Sequence, residues 1–308
     1  KISRASYYKW LNRKPTKRDK ENEELVEKMT KIYEGNNGLF GYRKMTMALN
    51  RVEEKKVNPK RVRRLMRANK LECAFRKKSR YKYVKVKPEE TAENILNREF
   101  KADRPNQKWS TDVTEIKIPN STGKFYISTI IDLYDRYPVA WHISTRNDSE
   151  LVNRTLEKAL EANPEGCDIF HMDRGTLYTR RYYAKWLENY GIRQSMSRVS
   201  KCIDNGPMEG FQGLLKDMCH VLYPNVKNGK ELRKALEATF RYYIDEYPQE
   251  RFKGRTAGEV RADALENGIV GDYPIRKNPQ VIRFWKKIEM RKNKMEGEKT
   301  GLSSITAE

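Results

Sequence analysis

The chain of 308 residues is long enough for two domains, and a hydrophobic fraction of 37% is sufficient for a packed core. It has no run of about 18 apolar residues and no charged-then-apolar leader, which argues against a transmembrane helix and a secretory signal. The formal net charge of +22 lies mainly at the start, because residues 1–100 carry 29 Lys and Arg against 13 Asp and Glu, whereas residues 101–250 carry 22 against 21. This distribution predicts a near-neutral catalytic unit with nucleic-acid-binding flanks, although a generally basic protein has the same composition.

The N-terminal third is predicted to be helical. Apolar residues at helical spacing predict helices over residues 21–33 and 42–51, and a third helix from Asn58-Pro59 to Lys70. Two short helices joined by a turn, the second strongly basic, indicate a helix-turn-helix-like DNA-binding region over residues 1–73; a solvated basic helix is the alternative. The candidate DNA-binding residues on this last helix are Lys60, Arg61, Arg63, Arg64 and Arg67. Position 1 is Lys rather than Met, so we expect a further segment upstream.

The rest of the chain is predicted to form a linker, an α/β domain and a tail. Residues 74–103 are a basic linker that suits a DNA backbone as well as a plain tether. Within residues 104–265, the strand and helix patterns predict a mixed sheet with helices packed on it. The strands are expected at 109–118, 124–134, 138–145, 168–173 and 192–197, and the helices at 149–162, 179–190 and after Asp204-Asn205-Gly206-Pro207. A basic helical tail is expected over residues 266–308, and its composition does not decide whether it contacts DNA or a partner subunit.

Three carboxylates in this domain suit metal-dependent chemistry. Asp112 lies in a predicted strand, Asp173 at the end of another strand, and Glu209 in the first turns of a helix. A charge on a buried strand is costly unless it is paired or metal-bound, and α/β sheets place ligands beyond their strand ends. Three hard oxygen donors suit Mg²⁺ or Mn²⁺, and a pair of such ions cleaves phosphodiesters. Singly, each acid has a plainer explanation as a turn cap, a loop cap or a charge at a helix N-terminus.

The segments around these acids carry a family resemblance. The segments WSTDVTEI, HMDRGTLY and QSMSRVSKCIDNGPMEGFQGLLK resemble the three acidic motifs of the insertion-sequence transposases whose core is similar to retroviral integrase. Asp173 and Glu209 have 35 residues between them, the spacing of this DDE group, and the resemblance covers about residues 4–261. It implies an RNase H-like fold, two divalent ions (Mg²⁺ or Mn²⁺) held by Asp112 and these two acids, and a lysine, Lys216, near the DNA end. For Lys216 a surface role remains open, and Asn205 is expected to cap its helix, with catalysis as the lesser alternative.

The resemblance also implies a function. We expect a DNA transposase that binds terminal inverted repeats, cleaves their 3′ ends and joins them to target DNA. Two DNA ends must be handled together, which implies a homodimer or a larger oligomer, acting in the bacterial cytoplasm at the nucleoid without a membrane partner. The alternatives are an RNase H-like nuclease acting on structured nucleic acid and a DNA-binding regulator with an inactive core.

Overall fold

The computed structural model describes most of the chain in ranges separated by short gaps. These ranges are residues 3–12, 14–52, 56–74, 92–118, 123–175, 177–198 and 202–273, with residues 275, 279, 282–286 and 288–290 beyond them. Most of the predicted linker, residues 75–91, lies outside the described residues. In the predicted tail helix, residues 282–286 and 288–290 are helical. None of the helices within these ranges has the length and apolar character needed to cross a bilayer.

Among the described residues, the N-terminal region contains four helices, three of which the sequence predicted. They are α1 (Arg4–Leu11), α2 (Lys17–Gly35), α3 (Tyr42–Val52) and α4 (Pro59–Ala68). Helix α2 begins four residues earlier than expected because Thr16 and Asp19 form a capping box, in which each side chain accepts from the other residue's backbone N–H. Helix α4 begins as predicted, with the Asn58 side chain accepting from the Lys60 N–H.

A five-stranded mixed sheet forms the centre of the molecule. Its strands are β1 (Lys108–Lys117), β2 (Lys124–Asp132), β3 (Pro138–Ser144), β4 (Ile169–Met172) and β5 (Arg193–Met196). They lie in the order β3-β2-β1-β4-β5. Strands β1 to β3 are antiparallel neighbours, whereas β4 is parallel to both β1 and β5. A mixed sheet with helices packed on it is what the sequence predicted, and the α/β prediction is confirmed.

Helices cover both faces of this sheet. On one face, α5 (Ser149–Ala162) and α6 (Arg181–Asn189) pack on a core that includes Trp109 and Phe170. The other face is covered by three helices, of which α8 and α9 were not predicted from the sequence. They are α7 (Gly206–Leu222), α8 (Gly229–Asp245) and α9 (Ala257–Glu266).

The N-terminal helices share a core with this second face. Buried residues of α2, α3 and α4 belong to the same apolar cluster as those of α7, α8 and α9. On α3, Lys44 Nζ lies 3.6 Å from the centre of the Tyr247 ring and donates to the carbonyl of Pro248 at 2.8 Å. Further along α3, the Arg51 guanidinium pairs with both carboxylate oxygens of Glu259. The helical region is therefore docked on the sheet domain, and its predicted boundary near residue 73 stays a prediction.

Candidate active site

Alternate residues of β1 face helix α7. Side chains alternate between the two faces of a strand, so Ser110, Asp112 and Thr114 share one face. Ser110 bonds to Asn205, directly before α7, and Thr114 bonds to Lys216, within α7. Asp112 therefore lies between two contacts that join β1 to α7.

Asp173 follows β4, the parallel neighbour of β1. The register pairs Ser110 with His171, so Asp173 follows β4 at the level of Asp112 on β1. Each aspartate has one carboxylate oxygen held at 2.8 Å by a backbone N–H, from Val113 for Asp112 and from Gly175 for Asp173. These bonds orient both carboxylates.

Glu209 lies in the first turn of α7. It is more exposed to solvent than either aspartate. Partial burial, and then the charge of Asp173, raise the pKa of Glu209 above its ordinary value. The glutamate is therefore within electrostatic reach of Asp173; that the two belong to one catalytic site stays a prediction.

The pKa of Asp112 is affected by both of the other acids. Burial, and then the charge of Asp173, raise the pKa of Asp112 to about 8, with a further increase from Glu209. The Val113 N–H and the charge of Lys216 act in the opposite direction. The fold thus brings together three like charges that are far apart in the sequence, although their mutual repulsion is unfavourable.

The donor chemistry of this cluster fits a hard divalent cation. Mg²⁺ and Mn²⁺ prefer carboxylate oxygens, and a cation would offset both the burial of Asp112 and the repulsion from Asp173 and Glu209, which together raise its pKa. In the described part of the chain, however, no three or more His, Cys, Asp or Glu side chains are arranged so that they could hold a metal ion. The acids are gathered within electrostatic reach but do not form a ready set of ligands.

Lys216 lies beside the acids on α7. It is half-buried, and its Nζ donates to the Thr114 hydroxyl at 2.9 Å. Its positive charge lowers the pKa of Asp112. Lys216 is therefore in contact with the residues around the acids and does not have a purely surface position. Its predicted contact with DNA stays a prediction.

Asn205 does not cap α7, which corrects the expectation from its position. Its side chain makes no capping hydrogen bond. Instead, Asn205 Oδ1 accepts from the Ser110 hydroxyl, and its Nδ2 donates to the carbonyl of Thr111 at 3.1 Å. The residue therefore joins the start of α7 to the strand that carries Asp112.

The preceding residue, Asp204, was missed in the sequence. It is fully buried, and its carboxylate accepts from Arg98, from Arg198 at 2.7 and 2.8 Å, and from Asn94 at 2.9 Å. The Phe284 ring covers both guanidiniums, with their carbons 4.0 and 4.4 Å from its centre. The available signal was an Asp directly before a helix start, which does not identify such distant partners.

The predicted DNA-binding residues of α4 differ in their surroundings. Lys60, Arg63, Arg64 and Arg67 are exposed. Arg61 is half-buried and engaged with α2, because its Nε donates to Asn22 Oδ1 at 2.8 Å and its Nη2 lies 3.5 Å from Glu21. Four of the five predicted cations are therefore accessible to a partner.

Comparison with known proteins identifies the family. Residues 102–202 match the integrase core domain, and residues 20–79 match an HTH-like domain. The chain is 36% identical over 261 residues to the protein named as transposase InsK for insertion sequence element IS150 of Escherichia coli strain K12, covering 84% of this chain and 90% of that protein. The chain belongs to the insertion-sequence transposases with an integrase core. DNA transposition is the function of this family.

Two further similarities accompany this assignment. The transposase is 35% identical over 267 residues to a protein named as a transposase for insertion sequence element IS1353 of Shigella flexneri, covering 85% of this chain and half of that relative. Among solved structures, the HTLV-2 integrase catalytic core domain in complex with magnesium is similar with a TM-score of 0.42 and 16% identity. This similarity covers 51% of the transposase and 97% of the viral domain.

Proposed function

We propose that this transposase binds the terminal inverted repeats of its element, cleaves the 3′ ends of the DNA and transfers them to target DNA. Asp112, Asp173 and Glu209 are its catalytic residues in this proposal. The observation that carries it is the convergence of these three acids from β1, the end of β4 and the start of α7, where the charge of Asp173 raises the pKa of both Asp112 and Glu209. The fold tolerates this repulsive arrangement next to a contact between sheet and helix, as functional sites commonly do.

The same three carboxylates would hold two divalent ions, Mg²⁺ or Mn²⁺. When bound, these ions supply activation of the attacking oxygen and stabilisation of the leaving oxygen. The chain itself contributes the orientation of its carboxylates through the backbone N–H groups of Val113 and Gly175. Because hydrolysis and strand transfer differ in the attacking oxygen, one site serves both steps.

Helix α4 is the proposed DNA-binding element. Helix α3 directs Lys44 and Arg51 into the contact with the sheet domain, so part of its surface is already occupied. Helix α4 instead leaves a set of basic side chains exposed to solvent, namely Lys60, Arg63, Arg64 and Arg67. Such side chains suit phosphate contacts. The engaged Arg61 is assigned to holding α4 on α2, and Lys216 to the DNA end near the acids.

The proposal extends to assembly and location. Two element ends must be cut and joined together, which requires a homodimer or a larger oligomer on double-stranded DNA. The helical region, residues 1–73, is assigned to DNA binding and residues 104–265 to catalysis. The protein would act on the nucleoid in the cytoplasm.

A strand-transfer assay tests this function. Labelled terminal-repeat DNA is incubated with the full chain, target DNA and Mg²⁺, and the products are separated by size. We expect labelled ends joined to the target with the wild type, and neither cleavage nor joining with Asp112→Asn, which should still bind DNA. Degradation without joining would favour the nuclease, and binding without cleavage by the wild type would favour the regulator.

A further inference from the structure

The start of α7 is joined to β1 by a buried amide. Asn205 precedes the first residue of the helix, where a side chain ordinarily accepts from the helix's own N–H groups. Here the amide turns to the strand, with Oδ1 accepting from Ser110 and Nδ2 donating to the carbonyl of Thr111. Asn205 is 4% exposed and Ser110 is 1% exposed, so both hydrogen bonds are shielded from water.

The residues joined by these two hydrogen bonds are close in sequence to two of the candidate acids. Ser110 and Thr111 directly precede Asp112 in β1, and Glu209 follows Asn205 by four residues, about one helical turn. Residues four apart lie on the same side of a helix. The amide therefore fixes the turn of α7 that carries the glutamate against the strand that carries the aspartate.

A second contact fixes α7 further along. Lys216 donates to Thr114, which lies two residues beyond Asp112 on the same face of β1. Thr114 and Ser110 thus bind α7 on either side of Asp112. Two contacts at different points along α7 oppose both sliding of the helix along the strand and rotation of the helix about its axis.

Asp204, which directly precedes Asn205, is held by other parts of the sheet domain. Asp204 is held by Arg98, from the segment before β1, and by Arg198, which lies two residues after β5. Adjacent residues thus connect the start of α7 to three separate parts of the sheet domain. Glu209, the most exposed of the three acids, depends on this turn for its position.

We propose that Asn205 is a positioning residue that sets the separation of Glu209 from Asp112 through Ser110 and the carbonyl of Thr111. This inference rests on the proposed metal-dependent function. Asn205 itself touches neither metal nor DNA in this proposal. Its effect passes through the placement of α7, so its loss should weaken metal binding more than it weakens the fold.

The test measures Mn²⁺ binding to the full chain by electron paramagnetic resonance, together with thermal unfolding. Asn205→Ala should raise the half-saturating Mn²⁺ concentration about 10–100-fold, the range found when residues that orient metal ligands are removed. Ser110→Ala should act in the same direction. The double variant should be no worse than Asn205→Ala alone, because both substitutions break the same contact.

The matched control is Asn228→Ala. Asn228 precedes α8, which has 17 residues like α7, and its side chain does cap the helix by accepting from the Glu231 N–H. The control should lower the melting temperature and leave Mn²⁺ binding unchanged. A loss of stability in Asn205→Ala like that of the control, with unchanged Mn²⁺ binding, would overturn the inference.

Two further arms keep the result decisive. If Asn205→Ala does not fold, Ser110→Ala, which removes a single hydroxyl, carries the same expectation and the same refutation. Asp112→Asn tests the function beneath the inference. If Asp112→Asn still binds Mn²⁺ as the wild type does, the proposed function and the role of Asn205 are both overturned. If Asp112→Asn loses Mn²⁺ binding but Asn205→Ala and Ser110→Ala do not, only the role of Asn205 is overturned.

Discussion

Lys44, at the contact between α3 and the sheet domain, gives a quantitative prediction. Burial lowers the pKa of Lys44 from its ordinary value of 10.5 to about 8. This change corresponds to about 3 kcal/mol of unfavourable charge burial. Below pH 8 the lysine is protonated in both the folded and the unfolded chain, so the folded protein bears the whole cost. Between pH 8 and 10.5 the folded form loses its proton while the unfolded chain retains it, so stability rises with pH.

The perturbation is Lys44→Met, which retains an unbranched apolar stem beside Tyr247 and removes the charge. It also removes the hydrogen bond to the carbonyl of Pro248 and the contact of the ammonium with the Tyr247 ring, together worth about 1–2 kcal/mol. At pH 7 the variant should therefore be as stable as the wild type or slightly more stable. By pH 10 the difference in free energy of unfolding should have moved about 2–3 kcal/mol in favour of the wild type.

Urea denaturation of both proteins between pH 7 and pH 10 measures this difference. Comparing the two proteins at each pH cancels the titration of groups that they share. Lys230→Met, at an exposed position on α8, is the control and should show no such change. A difference between wild type and Lys44→Met that stays constant over the whole range would refute the reasoning.

The acidic cluster, the basic helix and the start of α8 give three more predictions. Asp112→Asn should stabilise the metal-free protein in urea denaturation, and the gain in free energy of unfolding should increase between pH 4 and 8. The reason is that burial and nearby acids raise the pKa of Asp112 to about 8. An unchanged free energy of unfolding would contradict this explanation. Replacing Arg64 and Arg67 together by Ala should flatten the plot of log Kd for DNA against log salt by about 2, since each phosphate contact contributes about 0.9; an unchanged slope would exclude both from the DNA contact. Gly229→Ala should lower the melting temperature, because a Cβ there would lie 2.4 Å from the Phe125 ring; an unchanged melting temperature would show that the ring can move.

Much of the fold could be predicted from local pattern. The ends of α5 were predicted to the residue, because Asp148 caps a helix whose apolar residues recur at helical spacing. The strands β1 to β3 were recognised from their β-rich runs. Helices α8 and α9 were missed, although Asn228 with Glu231 and Thr256 with Glu259 form recognisable helix starts.

The candidate site was predicted less completely. The resemblance and the 35-residue interval selected the three acids as candidates, since both depend on sequence order. The role of Asn205 was predicted wrongly because capping is a local preference, whereas its partners, Ser110 and Thr111, come from a strand about 95 residues earlier. The arginines around Asp204 were missed for the same reason. A buried charge such as that of Asp204 is stabilised by contacts with distant segments, and no local sequence pattern encodes these contacts.

Under the proposed function, the docking of α3 on the sheet domain has a consequence for the position at which DNA is cut. Its contacts with Tyr247, Pro248 and Glu259 connect the proposed DNA-binding helices to the sheet domain that carries the three candidate acids. The number of base pairs between the sequence that is read and the phosphate that is cut would then be a property of the folded protein. A terminal repeat lengthened by one base pair inside that interval would still be bound, but its scissile phosphate would lie about 3.4 Å out of place.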